Sequence, residues 1–304
     1  MRKALLWAST NPFLAERLPK MSFVKQATRR FMPGESLEEA LLEAERLSNK
    51  GMGTLVTLLG ENLSSIDQAD DVLNEYLEVL REASKRGLDL EVSVKLTQLG
   101  LDFGSDIAQE RLRTLVEATS SIVWIDMESS EYVDLTLDIY RNVKLAKPNV
   151  GLCLQSYLRR TEDDLENLVV LDSPIRLVKG AYKEPREVAY AQKSKVDEYY
   201  LRLSKILLEA RINGGQARPV IATHDTRMIE NTNRMAAELG ARKDDYEFAM
   251  LYGIERTEQE RLANSGHIVR VLISYGSSWF PWYMRRLAER PANVWFVLKQ
   301  LFRR

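Results

Sequence analysis

Eight short apolar runs, each followed by a longer stretch of helical period, limit what this chain can fold into more than any other feature. The runs are TLVTLLG (54–60), LEVSVKL (90–96), SIVWIDME (121–128), NVGLCLQ (149–155), PIRLVKG (174–180), RPVIATH (218–224), YEFAMLYG (246–253) and HIVRVLISYG (267–276). Between them, segments such as SLEEALLEAERLSNKG and DEYYLRLSKILLEARINGG show helical periodicity and close on glycine, a common helix C-cap. Strand and helix alternating in series imply parallel strands with helical crossovers, and eight such units are the count of a (β/α)8 barrel. The predicted fold class is therefore α/β, a TIM-type barrel over 51–304 with extra N-terminal helices in 1–50, all in one domain. After the eighth strand, Arg290-Pro291 breaks one helix and a second carries the chain to its end. An open doubly wound sheet is the alternative. Its glycine fingerprint follows the first strand, whereas GMGTLV (51–56) precedes it.

With a formal net charge of -1, no global basic field points to nucleic acid. Two histidines, His224 and His267, and one cysteine, Cys153, offer no transition-metal cluster, so no metal is expected. A single cysteine cannot close an intrachain disulfide, and no apolar run approaches the roughly 20 residues of a membrane span. The start MRKALLWASTNP is too short in apolar length for a secretory signal, and the expected location is cytoplasmic.

In a TIM barrel the chemistry gathers at the C-terminal ends of the strands. Those ends carry Glu61, Lys95, Asp126, Glu128, Gln155, Arg176, Lys179, Tyr182, Thr223, His224, Asp225, Tyr252 and Tyr275 here. So much polarity on one rim reads as an active site. Arg176, between Ile175 and Leu177, needs a partner and is either a core ion pair or a cofactor contact. Asp126 could instead cap the following helix, Lys95 could snorkel, and His224 could be structural. Past the eighth strand, WYMRRLAERPAN (282–293) sets Arg285 beside Arg286 in apolar company. Adjacent helical residues point about 100° apart, so the two cannot both simply face solvent. They could clamp a carboxylate or phosphate bidentately, or bridge to Glu289; spacing alone does not choose.

The blocks VKLTQLGLD (94–102), IDME (125–128), LQSYLRRTEDDL (154–165), RLVKGAYKEP (176–185), ATHD (222–225), LYGI (251–254) and RRLAERPAN (285–293) stand in order at barrel-strand spacing. Together they resemble the proline dehydrogenase family, from RRFMPGESLEEAL (29–41) to the C-terminus. The resemblance implies a distorted barrel holding FAD, oxidation of L-proline to Δ1-pyrroline-5-carboxylate by hydride transfer from C5 to flavin N5, and a membrane quinone as electron acceptor. It implies that Arg285, Arg286 and Lys95 hold the proline carboxylate. Asp126 orders that cluster and counts as catalytic with Arg176, which lies near the flavin's reactive edge. Met127, Gln155, Lys179, Gly180, Ala181, Thr223 and His224 contact FAD, and Tyr182 and Leu177 lie near the substrate.

Two positions depart from the family pattern. Leu272 stands where strand 8 usually has a tyrosine beside the proline ring, and Trp282 replaces a second tyrosine before the arginine pair. Tyr275 is not a shifted replacement, because three residues along a strand reverse the face. The departures leave two readings open: a pocket that still fits proline, or one that accepts a substituted ring such as 4-hydroxyproline. A Schiff-base lyase using Lys95 or Lys179 is the alternative enzyme class, and a non-catalytic carboxylate-binding barrel is a third reading. The C-terminal VWFVLKQLFRR has an apolar face and a basic end, suited either to packing on the barrel or to peripheral contact with an anionic membrane.

Overall fold

The computed structural model describes residues 28–60 and 63–280. Eight parallel strands close into a barrel in chain order: β1 (Gly53–Leu58), β2 (Leu90–Val94), β3 (Val123–Ile125), β4 (Val150–Gln155), β5 (Pro174–Val178), β6 (Arg218–Ala222), β7 (Glu247–Leu251) and β8 (Ile268–Tyr275). The barrel closes where β1 pairs with β8 over Gly53↔Arg270 to Leu58↔Tyr275. Each predicted run overlaps one strand. Helix α1 (Leu37–Ser48) precedes the barrel, its first turn fixed by a Ser36–Glu39 capping box. The crossovers are α2 (Ile66–Lys85), α3 (Ser105–Glu117), α4 (Val133–Ala146), α5 (Thr161–Val169), α6 (Lys193–Ile212), α7 (Thr226–Glu238) and α8 (Arg256–Asn264). The predicted helices after β8, with Trp282, Arg285 and Arg286, lie outside the described residues, as do Glu61 and residues 1–27.

The strands read as continuous apolar runs because both of their faces are buried. The outer faces, including Val56, Val92, Ile125, Leu152, Leu177 and Ile221, pack with the helices into one large core. Tyr275 belongs to this side: its hydroxyl donates to Glu75 of α2 at 2.9 Å, so it faces away from the barrel axis.

Inside the barrel three layers follow one another. An apolar middle layer contains Leu55, Trp124, Val220 and Ala249, with Ile122, Ala222 and Leu272 packed against it. Toward the N-terminal ends, Arg218 donates to Glu91 at 2.6 Å and to both oxygens of Glu247 at 2.6 and 2.9 Å. Arg270 donates to Glu247 at 2.7 Å and to Asp89 at 2.8 Å. Strand polarity, expected mostly at the C-terminal rim, thus has a second gathering place at the N-terminal ends. A second charged layer closes the opposite end, and its alternating signs explain how Glu91, Glu247 and Arg270 stay buried there beside half-buried Arg218.

Candidate active site

At the C-terminal ends, β2, β3 and β5 bring four polar side chains to one point. Ser93 and Lys95 alternate along β2 and its exit, and Asp126 follows Trp124 by two, so all face inward. Arg176 Nη2 donates to Asp126 Oδ1 and, at 2.8 Å, to Ser93 Oγ. Ser93 Oγ in turn donates to Asp126 Oδ1 at 2.8 Å, and Lys95 Nζ stands 3.7 Å from Asp126 Oδ2. Asp126 is therefore the anionic centre of this cluster rather than a helix cap. Arg176 is almost fully buried. Burial works against its charge, but the Asp126 carboxylate and Cys153 more than offset that and hold its pKa above the ordinary value. Cys153, opposite Arg176 in the β4–β5 register, has its thiol pushed up by burial, with Arg176 pulling the other way, so it is not set up as a thiolate nucleophile.

Around the rim, Gln155 closes β4. Its Nε2 donates to the carbonyls of Met127 at 2.7 Å and Glu128 at 3.0 Å, while its buried Oε1 has no partner among the described residues. Lys179 Nζ lies between Asp197 at 2.5 Å and Asp225 at 3.0 Å, which engages the lysine a Schiff-base mechanism would need as an amine. Burial pushes Asp225 up, but the Lys179 and Lys193 ammonium groups bring it down to about 2. Asp225 also caps α7, accepting from Arg227 N at 3.2 Å. Gly180 has φ 110, and a Cβ there would meet the Tyr157 ring at 2.2 Å, so both backbone and packing require glycine. Ala181 and Tyr182 follow it and are exposed. Thr223 Oγ1 accepts from Asp225 N at 3.1 Å, and His224 Nε2 accepts from Leu251 N at 2.8 Å. The neutral ring then carries its proton on Nδ1.

Two predicted site residues fall on the other face of their strands. Leu177 is one residue past inward-facing Arg176, so its side chain lies in the helix-facing core, where Tyr200 of α6 donates to its carbonyl at 3.2 Å. Its side chain is not beside Arg176 on the barrel axis. Met127 is likewise one past Asp126, and what it offers the rim is its carbonyl, to Gln155. Leu272 does face inward, in register with Leu55 and Leu251. Sequence reasoning missed Ser93, a small polar residue at an inward position two before Lys95, and Trp124, two before Asp126; the two-residue spacing was the available signal.

The family model described as proline dehydrogenase matches residues 40–299. Proline dehydrogenase 1 of Bacillus subtilis subsp. natto is 35% identical over 307 residues, covering 100% of both chains. Proline dehydrogenase of Deinococcus radiodurans is 35% identical over 310 residues, covering 99% of this chain and 98% of its own. Among solved structures, proline utilization A (PutA) from Bdellovibrio bacteriovorus superposes with a TM-score of 0.81 at 26% identity, over 94% of this chain and 36% of the PutA chain.

Proposed function

Because this chain belongs to the proline dehydrogenase family, we propose that it oxidises L-proline to Δ1-pyrroline-5-carboxylate with FAD as its redox cofactor and a quinone as the onward acceptor. Family membership carries the oxidoreductase class and proline oxidation; the particular substrate, cofactor contacts and residue roles are our reading. The observation that supports it most is Asp126 held by Arg176, Ser93 and Lys95 at the C-terminal ends of a parallel barrel.

The residues present fit a flavin. Gln155 offers a buried acceptor with no partner among the described residues, which a ring N–H can fill; the Lys179–Ala181 turn leaves the neighbouring β5, and Thr223 and His224 follow β6 next to it. When bound, FAD supplies the two-electron acceptor, at N5, for the hydride leaving proline C5. The protein's part is binding and orientation. Lys95, with Arg285 and Arg286, holds the substrate carboxylate, and Asp126 offsets part of the gathered positive charge. Fixing the carboxylate fixes the ring, which is what a short transfer distance needs. The nitrogen lone pair helps expel hydride, so the reacting amine is neutral. Lys95 and Arg176 favour that form by like-charge repulsion.

The C-terminal stretch 294–304 lies outside the described residues, and peripheral membrane contact there remains a proposal alongside cytoplasmic location. Among the described residues no helix is long and apolar enough to cross a membrane. Anaerobic titration of the flavin-loaded protein with L-proline tests the function. Bleaching of the flavin spectrum by proline supports it, and a protein that retains no flavin, or one that proline does not bleach, overturns it.

A further inference from the structure

Glu128 is a rim carboxylate that the chemistry above leaves unused. It is 8% exposed, and both of its oxygens serve one residue. Thr97 donates its backbone N–H to Oε1 at 3.1 Å and its hydroxyl to Oε2 at 2.7 Å. Thr97 opens the 3-10 turn Thr97–Leu99, which begins two residues after Lys95. The next residue, Gln98, donates Nε2 to the carbonyls of Leu58 at 3.0 Å and Gly60 at 2.7 Å. The amides of Gln98 and Leu99 return to the Lys95 carbonyl at 3.1 and 3.3 Å. The turn is therefore tied to the exit of β3 on one side and of β1 on the other, with the Lys95 backbone inside the tie.

Lys95 itself has a flexible stem, and its ion pair with Asp126 is long at 3.7 Å. Its aim depends on where its backbone is held. Glu128 also does not read as a stability device: burial pushes its carboxyl above the ordinary range, and the Thr97 donors and Lys95 offset only part of that.

We propose that Glu128 is a positioning residue for carboxylate recognition: by holding Thr97 it fixes the backbone of Lys95, and so sets the preference for a substrate carboxylate over its neutral amide. The proposal rests on the reading of Lys95 as a carboxylate ligand.

The test compares kcat/KM for L-proline and L-prolinamide in the full flavin-loaded chain. Lys95→Met sets the scale by collapsing the preference for proline. Glu128→Ala is expected to reduce that preference about tenfold through KM for proline, with kcat and prolinamide changed less than about twofold. Thr97→Val, which removes only the hydroxyl donor, is expected to reduce it about threefold and carries the test if Glu128→Ala does not fold. Glu128→Gln keeps an acceptor for the Thr97 amide and is expected to restore most of the preference. In a Lys95→Met background, Glu128→Ala should have no further effect on the ratio. Equal losses on proline and prolinamide, or an effect on the ratio that survives in Lys95→Met, overturn the proposal while leaving the Lys95 reading intact. If Lys95→Met itself leaves the ratio unchanged, the Lys95 reading fails and the proposal fails with it.

Discussion

Arg176 lies over Trp124 inside the barrel, its guanidinium carbon 5.4 Å from the ring centroid. Arg218 of the lower charged layer stands 5.6 Å from the same ring, and the indole N–H donates to Glu91 of that layer at 2.6 Å. One buried aromatic side chain thus touches the candidate active site above it and the ionic closure below it. Cation–π attraction strengthens as water is excluded, and Trp124 is fully buried.

Arg176 and Asp126 should depend on one another for stability as well as for chemistry. Arg176→Met leaves the Asp126 carboxylate with Lys95 at 3.7 Å as its nearest cation among the described residues, and should cost about 3 kcal/mol or more. Adding Asp126→Leu to that variant should recover much of the stability and none of the activity. Urea denaturation of both variants, read with proline-dependent dye reduction, checks this; a double variant no more stable than Arg176→Met would count against it.

Trp124→Phe retains an aromatic face but removes the donor to Glu91 and leaves space in the middle layer. The expected loss is about 1–3 kcal/mol, with Arg218 still pairing with Glu91. Thermal unfolding of the two proteins measures it. An unchanged midpoint would mean that the indole N–H contributes little.

The strands were legible because burial on both faces turns each into an unbroken apolar run, which sequence displays directly. Which face a residue takes was harder to read. Arg176 and Leu177, or Asp126 and Met127, differ by one position, and a family motif names both without saying which side chain points inward. Glu128 was visible as a rim carboxylate. Its partner Thr97 was not, because a bond across 31 residues between strand exits appears only once the barrel is closed. The lower layer was obscured for a similar reason: Glu91, Glu247 and Arg270 each look like a lone charge at a strand start until closure makes them neighbours.

That lower layer should govern part of the acid stability. Burial raises Glu247, but Arg218 and Arg270 more than reverse this and hold its pKa below the ordinary carboxylate value. A depressed carboxylate contributes stability that is present above its unfolded pKa, near 4.3, and is lost as pH falls through the folded value. Glu247→Gln should therefore destabilise at pH 7, by about 3 kcal/mol, and flatten the decline below about pH 4.5. Denaturation midpoints across pH 3 to 8 would reveal parallel curves if this account is wrong.

Flavin reduction should accelerate as pH rises, because the reacting proline nitrogen must lose a proton. In the proposed binding mode, the positive charges of Lys95 and Arg176 around Asp126 should place the inflection below the free amine's own pKa. Anaerobic stopped-flow reduction over pH 6 to 10 measures the profile. A flat profile would remove deprotonation of bound proline from the mechanism.

Ring specificity should turn on Leu272. Its side chain faces the barrel axis in the apolar middle layer, beside Leu55 and below the polar rim, and it keeps partial exposure where its neighbours Val271 and Ile273 have none. If Leu272 lines the substrate pocket as proposed, it offers neither a hydroxyl nor a flat ring, unlike the tyrosine of the family pattern. A 4-hydroxyl on the proline ring adds little bulk, and an apolar pocket rejects an added hydroxyl only weakly, by about a hundredfold. The expected result is measurable turnover of 4-hydroxyproline, with kcat/KM within about a hundredfold of that for proline. Leu272→Tyr should lower the value for 4-hydroxyproline about tenfold while changing proline less than about threefold, since an overfilled pocket penalises the larger ring first. If the unaltered protein discriminates by much more than a hundredfold, the leucine is a neutral exchange and the pocket is closed by other residues.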